Sequence, residues 1–147
     1  MPELSVDLER TFAIDRETMW SLWTDAAHAG RWMRPSLSAF GETRAILDVR
    51  PGGAYRFEME SGGEVRAAAG TFVEVDPIDR LVYTWQWEGQ AEESLVEVTF
   101  HETPGGTRVH LSHTRLDTRE SADMHEDGWR GCFESLASLY EPSSAAT

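Results

Sequence analysis

Between Thr43 and His113 the chain runs through short stretches in which apolar and polar residues alternate, broken by turn residues, and this texture narrows the available folds more than any other feature. In RPGGAYRFEME a Pro-Gly-Gly turn precedes Tyr55, Phe57 and Met59, which alternate with Arg56, Glu58 and Glu60. A period of two gives a strand one buried and one wet face. Gly62-Gly63 predicts a tight hairpin into GEVRAAAGTFVEVD, and Asp76-Pro77 with Asp79 predicts a turn into RLVYTWQW. SLVEVTFHE alternates Val96, Val98 and Phe100, Pro104-Gly105-Gly106 turns the chain, and TRVHLSH alternates Val109 and Leu111. With Leu4, Val6, Leu8 and Phe12 as a first strand, about six to seven strands joined by hairpins form an antiparallel sheet that must curve to bury itself.

The flanking segments read as helices. Asp15 can cap a helix through DRETMWSLWT, with Met19, Trp20, Leu22 and Trp23 on its apolar side. A second short helix is expected from Asp25 to Trp32, ending before Pro35. Near the C-terminus Trp129, Cys132, Phe133, Leu136, Leu139 and Tyr140 recur at three- and four-residue spacing. Thr118 or Ser121 can cap this helix and Pro142 stops it, leaving residues 142–147 as a flexible tail after a single domain over 1–141.

Charge and composition exclude several functions. The formal charge is −13 and all 13 basic residues are arginines, so a phosphate backbone is repelled and nucleic acid is not an expected partner. Without lysine there is no Schiff-base chemistry. Cys132 is the only cysteine, which rules out an internal disulfide and a cysteine-based zinc site. No apolar run approaches the roughly 20 residues of a membrane span and MPELSVDLER lacks a signal-peptide layout, so a cytoplasmic protein without membrane insertion is expected. His28, His101, His110, His113 and His125 form no HExxH or zinc spacing, and no nucleophile elbow or phosphate loop is present. No catalytic residue, metal or cofactor is assigned. Asp48 and Arg50 suggest a local ion pair beside a turn. His125 lies where a cavity entrance is expected, or serves as a polar residue at a helix start.

DRETMWSLWTDAAHAGRWMRP, DVRPGGAYRFEM, VDPIDRLVYTWQW, GGTRVHLSH and HEDGW, in this order, resemble the SRPBCC or START-like superfamily. The likeness is narrowest to the branch related to the C-terminal domain of the heat-shock protein 90 ATPase activator, and it runs from about Leu4 to Tyr140. It implies an α+β helix-grip fold, with a curved antiparallel sheet around a long C-terminal helix and two short helices after strand 1. Superfamily members hold lipids, sterols, flavonoids or polyketides between sheet and helix, and some are cyclases or aromatases. The resemblance covers the activator's C-terminal domain and does not extend to its N-terminal domain, so chaperone activation is not carried over as an expectation. The fold alone does not choose among these functions.

Core and pocket compete for the inward residues. Tyr55, Phe57 and Met59, then Tyr83, Trp85 and Trp87, then Val98 and Phe100, are expected to confront Trp129 and Phe133 on the last helix. Trp32 and Phe40 are expected at the rim, on the resemblance. Gly128 and Gly131 each cost a helix about 1 kcal/mol, which suggests either room for a ligand or close helix–strand packing. Ala67 to Gly70 are small residues that leave volume unfilled or mark a bend. An empty apolar cavity of ~300 Å³ would cost up to about 7 kcal/mol, so the cavity is small, wetted or occupied. The expected function is binding of a hydrophobic or aromatic small molecule by these twelve residues. A cyclase or aromatase and a co-chaperone-like interaction module are the alternatives, and a homodimer is compatible with the sequence.

Overall fold

The computed structural model describes residues 4–142. The tail expected over 142–147 lies, from 143 onward, outside the described residues. The elements follow the order β1 (Leu4–Phe12), α1 (Arg16–Thr24), α2 (Ala26–Trp32), β2 (Arg44–Leu47), β3 (Ala54–Ser61), β4 (Glu64–Asp76), β5 (Arg80–Trp87), β6 (Ser94–Thr103), β7 (Gly106–Leu116) and α3 (Arg119–Tyr140). All strand pairs are antiparallel, in the order β1-β7-β6-β5-β4-β3-β2. The sheet curves around α3 in the α+β helix-grip arrangement, with α1 and α2 following the first strand.

Local chemistry sets the boundaries. Asp15 accepts from the Thr18 amide at 2.9 Å and starts α1; Asp25 accepts from the Ala27 amide at 2.9 Å and starts α2. The Asp25 amide also donates to the Ser21 carbonyl, so one residue ends the first helix and opens the second. Thr118, not Ser121, caps α3 by accepting from the Ser121 amide at 3.0 Å. Gly62 and Gly63 have φ of 61° and 84°, the left-handed pair that a two-residue hairpin requires. That turn pairs Ser61 with Glu64, and hence Tyr55 with Gly70, Phe57 with Ala68 and Met59 with Arg66.

The core is filled at one end and thins at the other. Phe12 meets Phe133 edge-on at 5.7 Å, and Phe100 meets Trp20 at 5.7 Å and Trp23 at 5.9 Å. Val98 lies between Leu81 and Leu111 and is fully buried. Trp32 is also fully buried, its Nε1 donating to the Leu22 carbonyl at 2.7 Å and its ring 4.6 Å from that of Trp23. It joins α1 to α2 from within and is not a rim residue. The small residues of β4 do not wall the space under α3 either; Ala69 and Gly70 border an open groove with Gln86, Glu88 and Gln90 instead. A Cβ on Gly70 would meet the Thr84 carbonyl oxygen at 2.3 Å, and the ladder slips between Phe72 and Glu74, so the run marks a close approach followed by a bulge.

Candidate functional site

Where the core thins, a pocket of about 120 Å³ opens between the sheet and the N-terminal half of α3. Met59, Arg66, Trp85 and Trp87 of β3 to β5 form one wall, and Met124, His125, Gly128, Trp129 and Cys132 of α3 form the second. Met33, Pro35 and Phe40 from the end of α2 and the loop beyond it form the third. This loop is tied down: Ser135 Oγ donates to the Arg34 carbonyl at 3.0 Å, and Thr43 Oγ donates to the Met33 carbonyl at 2.7 Å. Three methionines in the lining give the walls adaptable shape. At 24 cal/mol per Å³ an empty space of this size costs at most ~3 kcal/mol, which a domain can carry.

Of the twelve residues expected to contact a ligand, Phe40, Met59, Trp85, Trp87 and Trp129 line this pocket. Tyr55, Phe57 and Tyr83 instead surround a void of about 10 Å³ behind it, with Trp23 and Phe72. Trp32, Val98, Phe100 and Phe133 line neither space; they are packed core. Arg66, Met33, Pro35, Met124 and Cys132 were not among the expected lining residues.

The two glycines of α3 have different reasons. A Cβ on Gly131 would sit 1.9 Å from the Pro35 carbonyl oxygen, whereas one on Gly128 would meet nothing within 4 Å. Gly131 therefore lets the loop close on the helix, and Gly128 leaves the pocket open. Gly131→Ala is expected to cost ~1–3 kcal/mol by overpacking. Gly128→Ala should gain up to about 1 kcal/mol of helix stability and narrow the pocket. Urea unfolding of both variants checks the contrast; shifts of the same sign would contradict it.

Two tryptophan–histidine bonds stiffen the walls. Trp87 Nε1 donates to His125 Nε2 at 3.0 Å, and His125 Nδ1 lies 2.8 Å from the Ser121 carbonyl, to which it donates. Trp129 Nε1 donates to His113 Nδ1 at 3.0 Å. His113 Nε2 lies 2.6 Å from Ser94 Oγ, which in turn donates to the Trp85 carbonyl at 3.0 Å. Each imidazole thus accepts an indole proton on one nitrogen and donates from the other, a set of bonds that only the neutral rings satisfy. Burial pushes the His113 pKa down to about 3, helped by His125, whose ring centre is 4.7 Å away. Burial also lowers that of His125, reinforced by Arg66, against the Ser121 carbonyl bond and Glu92, which raise it.

These bonds consume donors that would otherwise be free to meet a ligand. The indoles of Trp32, Trp87 and Trp129 are engaged, and Tyr55 Oη donates to the Thr84 carbonyl at close range. Trp85 Nε1 and Tyr83 Oη are buried without a partner. Cys132 is buried and its thiol pKa is pushed well up by desolvation, so it packs rather than reacts. His110 faces outward beside Asp7, His101 is exposed, and Asp48 and Arg50 pair at 2.9 Å beside their turn. No metal-binding cluster occurs among the described residues, and none of their helices is long and apolar enough to cross a membrane.

A helix-grip sheet with an aromatic pocket under its C-terminal helix defines a START-like domain. The chain belongs to the family described as activator of Hsp90 ATPase homolog 1-like protein, whose profile matches residues 13–141. A protein of Chromobacterium violaceum superposes with a TM-score of 0.82 at 22% identity, over 97% of this chain and 100% of that one. A protein of Silicibacter pomeroyi named AHSA1 superposes with a TM-score of 0.79 at 27% identity, over 91% of this chain and 95% of that one. A Nitrosomonas europaea protein gives 0.77 at 22% identity, over 92% and 93% of the two chains. No curated protein matches the chain.

Proposed function

We propose that the protein binds a hydrophobic, aromatic small molecule in the pocket between β3–β5 and α3. The observation that carries this reading is a preformed recess walled by Trp85, Trp87, Trp129, Phe40 and three methionines, in a sheet that is otherwise filled to its far end. Apolar walls supply affinity through burial, and rigid indoles supply shape. Family membership supports a ligand-holding fold of this kind.

Binding is favoured over turnover by the state of the histidines. A general acid or base needs a nitrogen free to reach a substrate proton, and both nitrogens of His113 and of His125 are bonded within the protein. The exposed large apolar residues, Ile46, Val65, Val73 and Leu139 among them, are spread over β2, β4 and α3, which gives less support to an interaction module.

The test is a thermal-shift panel of aromatic acids, flavonoids, polyketides, fatty acids and sterols, on protein shown by native mass spectrometry to carry no retained ligand. A ligand at 100 times its Kd adds about 2.7 kcal/mol, on the order of 5–10 °C for a chain of this length. Quenching of tryptophan fluorescence should accompany the shift. A panel that shifts nothing would remove the small-molecule reading.

A further inference from the structure

One fixed charge, exposed to solvent, stands at the rim of the pocket. The hairpin register places Arg66 opposite Met59, on the inward side of β4, and its guanidinium lies 4.8 Å from the centre of the Trp87 ring at the pocket wall. The chain carries 26 acidic residues, yet among the described residues none pairs with Arg66. On the same sheet Arg56 lies between Glu58 and Glu88 and Arg80 between Glu74 and Glu97, whereas Arg44 and Arg115, which do not line the pocket, are unpaired like Arg66 among the described residues. No carboxylate lines the pocket, so its wall is cationic within an acidic protein.

Volume restricts what can reach that charge. A cavity of about 150 Å³ admits a benzene ring, and this one measures about 120 Å³ before any movement of its methionines. This space is close to that of a single ring and far below that of a sterol. In the walls Trp87, Trp129 and both histidines are already satisfied and Trp85 Nε1 alone among the lining indoles lacks a partner, so Arg66 is the one charged group to meet a polar end. We propose that the pocket takes a small aromatic acid, with its ring between Trp85, Trp87 and Trp129 and its carboxylate on the guanidinium of Arg66. This rests on the small-molecule reading and names its ligand class. A guanidinium pairs with a carboxylate through two parallel N–H···O bonds, and its attachment to an aromatic face holds it ready to do so. The overall negative field repels anions, so any preference for the acid has to arise locally.

The test compares 3-phenylpropanoate with its uncharged amide, 3-phenylpropanamide, by titration of the indole N–H resonances at pH 7.5. The acid is expected to bind about five- to tenfold more tightly than the amide to the wild type. Arg66→Met, which keeps an unbranched stem over Trp87, should abolish or invert that ratio, and Arg66→Lys, which keeps the charge but not the two-pronged geometry, should retain only part of it. Equal affinity for acid and amide, or a preference that survives in Arg66→Met, overturns the acid class and leaves the small-molecule pocket standing. Binding of palmitate or cholesterol with neither phenylpropanoid bound overturns it as well. No binding by any compound overturns both readings.

Discussion

Lowering the pH from 6.5 to about 4.5 is expected to remove roughly 2 kcal/mol of folding stability through His113 alone. The unfolded chain takes up a proton on this residue near pH 6.5, whereas the folded protein resists until about pH 3. Between those values the unfolded state binds more protons, so stability is complete above pH 6.5 and falls as the solution is acidified. By pH 3 the loss approaches about 4–5 kcal/mol, a large part of a typical domain's stability. Around His113 lie His125, Ser94, Trp129 and Trp85, with no carboxylate bonded to the ring to stabilise its cation. His125 shifts in the same direction and adds to the loss. Asp15 and Glu88, whose pKa values are lowered by Thr18 and Arg56 respectively, begin to contribute only at lower pH. Urea midpoints at pH 6.5, 5.5 and 4.5 measure the effect. A flat profile, or one that His113→Gln leaves undiminished, would show that the buried imidazole is not its source.

Trp129→Ala is expected to destabilise the protein by about 3–5 kcal/mol, the usual range for emptying a buried tryptophan site. The side chain is 3% exposed, its ring lies 5.4 Å from that of Trp85 and stacks on Trp23 at 6.3 Å, and it closes the inner end of the pocket. Trp129→Phe separates packing from hydrogen bonding, because it keeps a ring but leaves His113 Nδ1 unpaired at a cost of ~1–3 kcal/mol. The phenylalanine variant should also lose less stability on acidification, since Nδ1 is then free to take a proton. If Trp129→Phe is as stable as the wild type, the indole–imidazole bond does not hold this wall. Measuring both substitutions with His113→Gln completes a double-mutant cycle for the pair.

The fold was legible because its signals were local and repeated. Alternation in β3, β5, β6 and β7, turn residues between them, Asp15 and Thr118 as caps and the stripe on α3 each imposed the same architecture. The pocket was half legible. Period two shows that Tyr55, Phe57, Met59, Tyr83, Trp85 and Trp87 face inward, but not which of them meet one another and which meet empty space. That depends on the curvature of the sheet and on the position of a loop, neither of which leaves a mark of its own in the sequence. Arg66 could have been found. The two-residue turn at Gly62-Gly63 fixes the register, and counting back from Ser61 and forward from Glu64 sets Arg66 against Met59. The indole–imidazole bonds were beyond reach, since they join residues 38 and 16 positions apart on different elements.

Pairing of the first strand with the last has a consequence for how the chain is assembled. Leu4 meets Leu116 and Phe12 meets Thr107, while every other ladder joins strands that are neighbours in sequence. The meander from β2 to β7 can form hairpin by hairpin as it leaves the ribosome. β1 is synthesised first but has no partner until β7 has emerged, and the sheet has no helix to close on until α3 follows. The N-terminal strand is thus the earliest made and among the last placed, and joining it closes a loop of nearly the whole chain, the kind of late, long-range step that slows folding. Until then Val6, Leu8 and Phe12, buried in the finished protein, remain uncovered on a nascent polypeptide.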